Sequence, residues 1–141
     1  MNEKNPAVVY IDGMTDEQIR ERLASIRCFL LDMDGTFYLG DKLIEGSLDF
    51  LAALKRTGRT ARFLTNNSSK SASVYKKKLE KMGVEEEYRD VMSSGHATVH
   101  YCLKHFPGKK CYLLGNEMLR EEMVSMGLEI TEDDRLRDRR L

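Results

Sequence analysis

The apolar residues of this chain fall into short runs that alternate with helical patterns, which predicts alternating strands and helices. The stretch 28–31 reads CFLL, and the stretch 60–64 reads TARFL. The continuous run at 28–31 is typical of a strand buried on both faces, as in a parallel sheet covered by helices. Because a helix is predicted between these strands, a right-handed crossover would make them parallel neighbours. The predicted order is helix 16–26, strand 28–31, hairpin 37–44, helix 47–57, strand 60–64, helix 71–82, strand 91–94, helix 96–104, strand 110–114, helix 116–126 and strand 128–130.

Capping residues and apolar stripes refine these elements. Thr15 with Gln18 fits a capping box, Ser47 and Asn116 are expected helix caps, and Gly58 and Gly83 are expected helix stops. The apolar residues of helix 47–57 cover most of its circumference, so we expect it to be well buried. Inward positions on the other helices are Ile19, Leu23, Ile26, Ala72, Tyr75, Leu79, Met82, Val99, Leu103, Phe106, Leu119, Met123 and Met126.

Composition narrows the class of protein. The 141 residues include 23 Lys+Arg and 23 Asp+Glu, so the formal net charge is zero. This balance argues against a nucleic-acid partner bound through net positive charge. There is no apolar run of the ~20 residues that span a bilayer, and the polar start does not resemble a signal peptide. The odd number of cysteines predicts reduced, mostly buried thiols in a cytoplasmic protein with no membrane partner.

Two carboxylates follow the first strand, one residue apart. Asp32 and Asp34 come directly before Gly35 and Thr36. Ligands of parallel sheets bind beyond the carboxyl ends of the strands, where this pair would emerge. A calcium loop is excluded because an EF-hand starting at Asp32 would need glycine and glutamate at its sixth and twelfth positions, which are Phe37 and Leu43. A single capping aspartate would leave the second acid unexplained, so the pair indicates a functional site.

Polar residues also follow the second predicted strand. Thr65 and Asn66 would emerge at the same edge of the sheet as Asp32. A carboxylate can act as the covalent catalyst of phosphoryl transfer, and a neighbouring acid can protonate the leaving group. Gly35 would let the backbone approach an anion closely, and free N–H groups in its turn could bind that anion. The hairpin 37–44, with its turn at residues 40–41, would lie over this loop, either as a shield from water or as a simple connection.

Two further patterns predict no site. The lysines at 76–78 and 81 are typical of a solvated helix face. His96 and His100 have the spacing of a zinc pair, but neither a glutamate between them nor a third ligand accompanies them.

The stretch 32–36, which reads DMDGT, and the stretch 65–67, which reads TNN, together resemble the first two motifs of the haloacid dehalogenase superfamily of phosphohydrolases. The hairpin and the NNSSK sequence at 66–70 are most similar to its p-nitrophenylphosphatase/nucleotidase-like (type IIA) branch, whose members carry a large α/β cap. The resemblance extends from about residue 27 to about residue 130 and implies a three-layer α/β/α Rossmann-like parallel sheet. Residues 1–95 would form the N-terminal half of this core after a loose lead-in at 1–14, residues 96–130 the start of the cap, and residues 131–141 a charged, disordered tail.

The resemblance also implies an activity. It predicts a Mg²⁺-dependent phosphatase that forms an aspartyl-phosphate on small phosphorylated metabolites such as sugar phosphates or nucleotides. Asp32 would be the nucleophile, and Asp34 would donate and accept the proton. Gly35, Thr65 and Asn66 would bind the phosphate. The Asp32 carboxylate and the Asp34 carbonyl would hold Mg²⁺.

The later motifs of the family find no match. Members supply a lysine and further metal-binding aspartates after the cap, whereas Lys70 and Lys110 precede that position and residues 133–134 lie in the charged tail. We therefore expect the chain to stop inside the cap, to leave strand 28–33 as an unpaired edge, and to hydrolyse phosphate esters poorly alone. A second copy or a complementing chain could complete the site. The alternatives are a non-catalytic truncated fragment or binding module with idle motifs, and a phosphotransferase that shares the aspartyl-phosphate step.

Overall fold

A computed structural model describes residues 12–132 as a mixed α/β structure. The elements are α1 (Asp16–Ser25), β1 (Cys28–Asp32), β2 (Tyr38–Leu39), β3 (Lys42–Leu43), α2 (Ser47–Arg56), β4 (Thr60–Thr65), α3 (Ala72–Lys81), a 3₁₀ turn (Glu86–Tyr88), β5 (Val91–Ser93), α4 (Ser94–His105), β6 (Cys111–Tyr112), α5 (Glu117–Ser125) and β7 (Ile130–Thr131). The predicted order of strands and helices is therefore confirmed.

The central sheet is parallel, with the strand order β1-β4-β5. Cys28 pairs with Thr60 and Asp32 with Leu64, as expected for two strands joined by the crossover helix α2. The α/β fold class with a parallel sheet is thus confirmed. A second parallel pair, β6 and β7, is connected through α5, and the antiparallel pair β2 and β3 forms the predicted hairpin.

One face of the central sheet carries the main core. Phe63 of β4 is completely buried, and its ring packs edge-on against Phe37 at a centroid distance of 4.8 Å. Helices α2 and α3 cover this face with four buried side chains, namely Leu51, Leu54, Tyr75 and Leu79. A second hydrophobic cluster joins α4, α5 and the segment before β7 through Val99, Leu119, Met123 and Leu128. Along the sequence, the predicted boundary between the core half and the cap, at residues 95–96, falls between the residues of the first cluster and those of the second. The boundary itself stays a prediction.

The other face of the sheet is open, and burial of β1 on both faces was a wrong expectation. Leu30 is 64% exposed and Met92 is 42% exposed. Among the described residues β1 is an edge strand, hydrogen-bonded to β4 alone. An apolar run predicts a strand, but its burial depends on neighbours that the run does not specify.

Other local expectations are also corrected. Ser47 does not cap α2, because Gly46 is the N-cap and the Ser47 hydroxyl donates to the Phe37 carbonyl at 2.8 Å. Only Leu51 and Leu54 of α2 are buried, and α1 has no buried residue. Leu103 and Phe106 are exposed, because α4 presents Val99 to its neighbours.

Residues 1–11 of the predicted lead-in and residues 133–141 of the predicted tail lie outside the described residues, whereas Thr131 belongs to β7.

The three cysteines are free, but Cys28 is exposed rather than buried. Cys102 and Cys111 are half-buried, and burial raises the pKa of the Cys111 thiol, with a further contribution from Cys102.

The contrast between the two sheet faces can be tested. Phe63→Ala should lower the free energy of unfolding by about 3–5 kcal/mol, because it leaves a cavity in the core. Leu30→Thr keeps a strand-forming residue at an exposed position and should change it by less than about 0.5 kcal/mol. Urea denaturation measures both. Similar costs for the two substitutions would contradict this assignment of faces.

Candidate active site

Two strand tips define the site. The last residue of β1, Asp32, pairs with Leu64, and Thr65 ends β4 one residue later. The strands are parallel, so both side chains leave the sheet at its carboxyl edge. Thr65 is buried, whereas Asp32 is exposed. Among residues 12–132 no lysine or arginine forms an ion pair with Asp32.

The chain turns tightly after β1. The Met33 carbonyl accepts hydrogen bonds from the Phe37 and Tyr38 amides at 2.9 and 3.2 Å. Gly35 has a φ of +83°, and its N–H donates to the Tyr38 carbonyl at 2.7 Å. The Gly35 N–H is therefore not one of the free N–H groups expected in this turn, and anion binding by the turn stays a prediction. The glycine is needed for the left-handed backbone of the turn.

The turn directs Asp34 towards the hairpin. Its Oδ1 atom accepts a hydrogen bond from the Gly40 amide at 3.3 Å. A small open cavity of about 120 Å³ adjoins this contact. Its lining residues are Asp34, Tyr38, Gly40, Thr65, Asn67, Lys70, Tyr75 and Lys78. Asp34 and Thr65 thus line one cavity, whereas the other three predicted site residues, Asp32, Gly35 and Asn66, do not line it.

The loop after β4 is ordered by its own side chains. The Thr65 Oγ1 accepts from the Asn67 amide at 3.1 Å, and the Thr65 hydroxyl is also hydrogen-bonded to the Tyr75 side chain. The Asn67 Oδ1 accepts from the Ser69 amide at 2.9 Å, and the Asn67 carbonyl accepts from the Tyr75 hydroxyl at 3.1 Å. Asn66 is exposed, and its carbonyl accepts from the Ser94 hydroxyl. The amide side chain beside the cavity is therefore Asn67, not Asn66.

The two acids act on the same buried tyrosine. Burial and, in decreasing order of size, the charges of Tyr75, Asp34 and Asp32 together raise the pKa of Tyr38 to about 12. Burial also raises the pKa of Tyr75, partly offset by its hydrogen bond with Thr65. Both phenols therefore remain neutral near pH 7. Both acids therefore lie close enough to Tyr38 to affect its pKa.

Two lysines that were not predicted as site residues line the cavity. Lys76 and Lys77 are exposed, as expected of a solvated helix face. Lys78 differs from them, because its side chain is only 25% exposed and donates to the Gly40 carbonyl at 2.6 Å. Lys70, which the sequence analysis set aside, also lines the cavity. The only available signal for Lys78 was its spacing of three residues from the inward-facing Tyr75.

No zinc site forms around the histidines. The His96 Nδ1 accepts from the Ser93 amide at 3.4 Å, and its Nε2 lies 3.4 Å from the Glu122 Oε1. Within residues 12–132 there is no cluster of three or more His, Cys, Asp or Glu side chains that could hold a metal ion. His96 therefore acts as part of a helix cap in this structure, together with Ser93.

The family model for haloacid dehalogenase-like hydrolases matches residues 29–129, which include both strand tips and both acids. The chain belongs to this family.

Curated relatives of this haloacid dehalogenase-like chain are phosphatases. Phosphoglycolate phosphatase 1A, chloroplastic, from Arabidopsis thaliana is 35% identical over 115 residues, which cover 80% of this chain and 32% of that protein. Acid sugar phosphatase from Staphylococcus saprophyticus is 30% identical over 112 residues, covering 79% of this chain and 43% of that protein. The chain therefore spans less than half the length of these relatives.

Solved structures show the same likeness. The 4-nitrophenylphosphatase from Thermotoga maritima superposes with a TM-score of 0.74 at 43% identity, over 79% of this chain and 42% of that one. A glycerol phosphate phosphatase from Mycobacterium tuberculosis in complex with magnesium gives a TM-score of 0.67 at 28% identity, over 81% and 33%. The predicted likeness to the nitrophenylphosphatase branch is confirmed. In the described part of this hydrolase-family chain, no helix is long and apolar enough to cross a membrane.

A carboxylate from α5 caps α3, the helix that follows the loop after Thr65. The Glu122 Oε1 accepts from the amide of Ala72, the first residue of α3, at 2.6 Å, and its side chain is only 10% exposed. Ser71, the N-cap of α3, makes no side-chain capping bond. Glu122 therefore caps α3 from another helix, where the negative charge also complements the helix dipole.

Removing this cap should destabilise the protein. Glu122→Ala leaves the Ala72 amide without its acceptor, so the free energy of unfolding should fall by about 1–2 kcal/mol. Glu122→Gln keeps an acceptor and should cost less. Urea denaturation is the measurement, and the exposed neighbour Glu121→Ala is the control, with a change below about 0.5 kcal/mol. A cost no larger for Glu122→Ala than for Glu121→Ala would refute the capping role.

Proposed function

We propose that the edge formed by Asp32, Asp34 and Thr65 is the catalytic half of a Mg²⁺-dependent phosphatase for small phosphorylated metabolites. The observation that carries this proposal is the shared cavity of Asp34 and Thr65, beside the strand tip that ends in Asp32. Ligands of parallel sheets bind beyond the carboxyl ends of the strands, where these side chains lie, and the Thr65 hydroxyl can donate to a phosphate oxygen. The relatives, which are phosphatases by name, support the same chemistry.

Each residue has a role in this proposal. Asp32 attacks phosphorus, the bond to the ester oxygen breaks, and an aspartyl-phosphate forms on Asp32. Asp34 donates its proton to the leaving oxygen and then takes one from the water that hydrolyses the intermediate. The Thr65 hydroxyl donates to a phosphoryl oxygen. In this proposal Gly35 and Asn66 do not bind the phosphate directly. They shape the backbone around the two strand tips, because Asn67 is the residue that lines the cavity.

The charges explain the need for a cation. A carboxylate at about 4 Å from a phosphate dianion meets roughly 8 kcal/mol of repulsion at an effective dielectric near 20. The donors present are carboxylate and carbonyl oxygens, which Mg²⁺ prefers, and it is commonly bound by one or two carboxylates plus substrate phosphate and water. Asp32 and Asp34 therefore fit as its protein ligands. When bound, Mg²⁺ would offset the repulsion between nucleophile and substrate.

The neighbouring lysines bring further positive charge to the cavity. Lys70 and Lys78 both line it, so their positive charges lie near any anion bound there. The substrate class that this suits is a small phosphate monoester, such as a sugar phosphate or nucleotide. A cytoplasmic location with a second copy or a complementing chain as partner remains part of the proposal.

Binding of a phosphoryl mimic tests the proposal. Fluoroberyllate attaches to an aspartate carboxylate, so fluorine NMR should show a bound signal with Mg²⁺ present. Asp32→Asn should weaken binding by at least about tenfold, because it removes the attachment point. Asp49→Asn, an exposed site on α2, is the matched control and should retain the signal.

Two outcomes would contradict parts of this proposal. Absence of a Mg²⁺-dependent signal from the unmodified chain would refute a phosphoryl site in it. Rapid Mg²⁺-dependent release of p-nitrophenol from its phosphate ester, abolished by Asp32→Asn, would refute the expectation of poor hydrolysis.

A further inference from the structure

The hairpin beside the cavity has a buried base and an exposed tip. Phe37 and Tyr38 at the base are buried, whereas Leu39 is 68% exposed. Each of its strands has only two residues. A two-stranded hairpin of this size is marginally stable on its own, so contacts with the rest of the protein must fix the position of its tip, residues 39–42.

Those contacts converge on Gly40. Its amide donates to the Asp34 Oδ1 at 3.3 Å, and its carbonyl accepts from the Lys78 Nζ at 2.6 Å. Within residues 12–132 these are the only hydrogen bonds that join the tip to the body of the protein. Gly40 also has a φ of +57°, so the turn itself requires a left-handed residue at this point.

Lys78 makes two additional contacts with the same hairpin. Its Nζ lies 3.4 Å from the Asp41 Oδ1 and 4.0 Å from the centroid of the Tyr38 ring. The Lys78 ammonium group therefore contacts three groups of the hairpin, namely the Gly40 carbonyl, the Asp41 carboxylate and the Tyr38 ring. A cation in this setting is restricted in orientation, which suits a fixed structural contact.

We propose that Lys78 is a positioning residue that holds the hairpin tip over the cavity and thereby keeps Asp34 in place. The role given to Asp34 rests on the proposed function, whereas the hold on the tip does not. Asp34 accepts from the Gly40 amide, and Lys78 donates to the Gly40 carbonyl. A displaced tip would therefore remove a hydrogen-bond partner of Asp34 and one wall of the cavity. Lys78 thus links α3 to the acid that is proposed to move the proton.

Amide hydrogen exchange of the intact chain, followed by NMR, measures the hold on the tip. In Lys78→Met the Gly40 amide should exchange at least about fivefold faster, since the tip loses a hydrogen bond and an ion pair. Lys77→Met, an exposed neighbour on α3, should leave exchange unchanged. Lys78→Arg keeps a cationic donor and should restore slow exchange.

The Phe63 amide in β4 serves as an internal reference. Faster exchange at Gly40 with an unchanged rate at Phe63 supports a local hold. An equal increase at both amides would mean that Lys78 acts on global stability and would overturn the inference. An unchanged rate at Gly40 would overturn it as well.

Fluoroberyllate binding with Mg²⁺ separates this inference from the proposed function. Weaker retention by Lys78→Met than by Lys77→Met would show that the tip position matters to the site. If the unmodified chain retains none, the proposed function fails, while faster Gly40 exchange in Lys78→Met still supports the hold. Equal retention by the two variants would overturn the link between Lys78 and the site.

Discussion

The register of β1 against β4 is the constraint on which the site depends. Asp32 lies opposite Leu64, so the two strands end within one residue of each other. Side chains alternate along a strand, and a shift of one residue would therefore send the core residues Ala61 and Phe63 to the open face. The same shift would turn Thr65 away from the cavity. Burial of the Phe63 ring against Phe37 therefore also fixes the position of Thr65, two residues further along β4.

The topology could be predicted because it follows from local order and chirality. A strand, a helix and a strand permit few arrangements, and the right-handed crossover selects the parallel pair that is observed. Burial could not be predicted equally well. The apolar run at β1 specified a strand, but the exposure of Leu30 depends on which elements lie over the open face, and the run carries no information about them. The same holds for Phe106, whose helix packs through Val99 instead.

The site was predictable where the backbone alone determines position. Asp34 and Thr65 follow strand ends, so their meeting required only the parallel arrangement. Asn67, and not the predicted Asn66, lines the cavity, because hydrogen bonds to the loop's own side chains fold the segment after β4. Sequence spacing does not reveal these hydrogen bonds. Lys78 was missed for another reason. A lysine run on a helix is usually solvated, and only the hairpin that passes above α3 gives one member a fixed partner.

The contact between Asp34 and Gly40 means that chemistry and structure are not independent at this site. Asp34 is both the proposed proton donor and an acceptor that holds the hairpin tip. A substitution at Asp34 would therefore remove the acid and release the tip together, and a loss of function would not distinguish the two effects. Lys78 contacts the opposite end of Gly40 and leaves the Asp34 carboxylate intact. Because of this separation, the position of the tip can be changed without changing the acid, and the contribution of the hairpin can be assigned on its own.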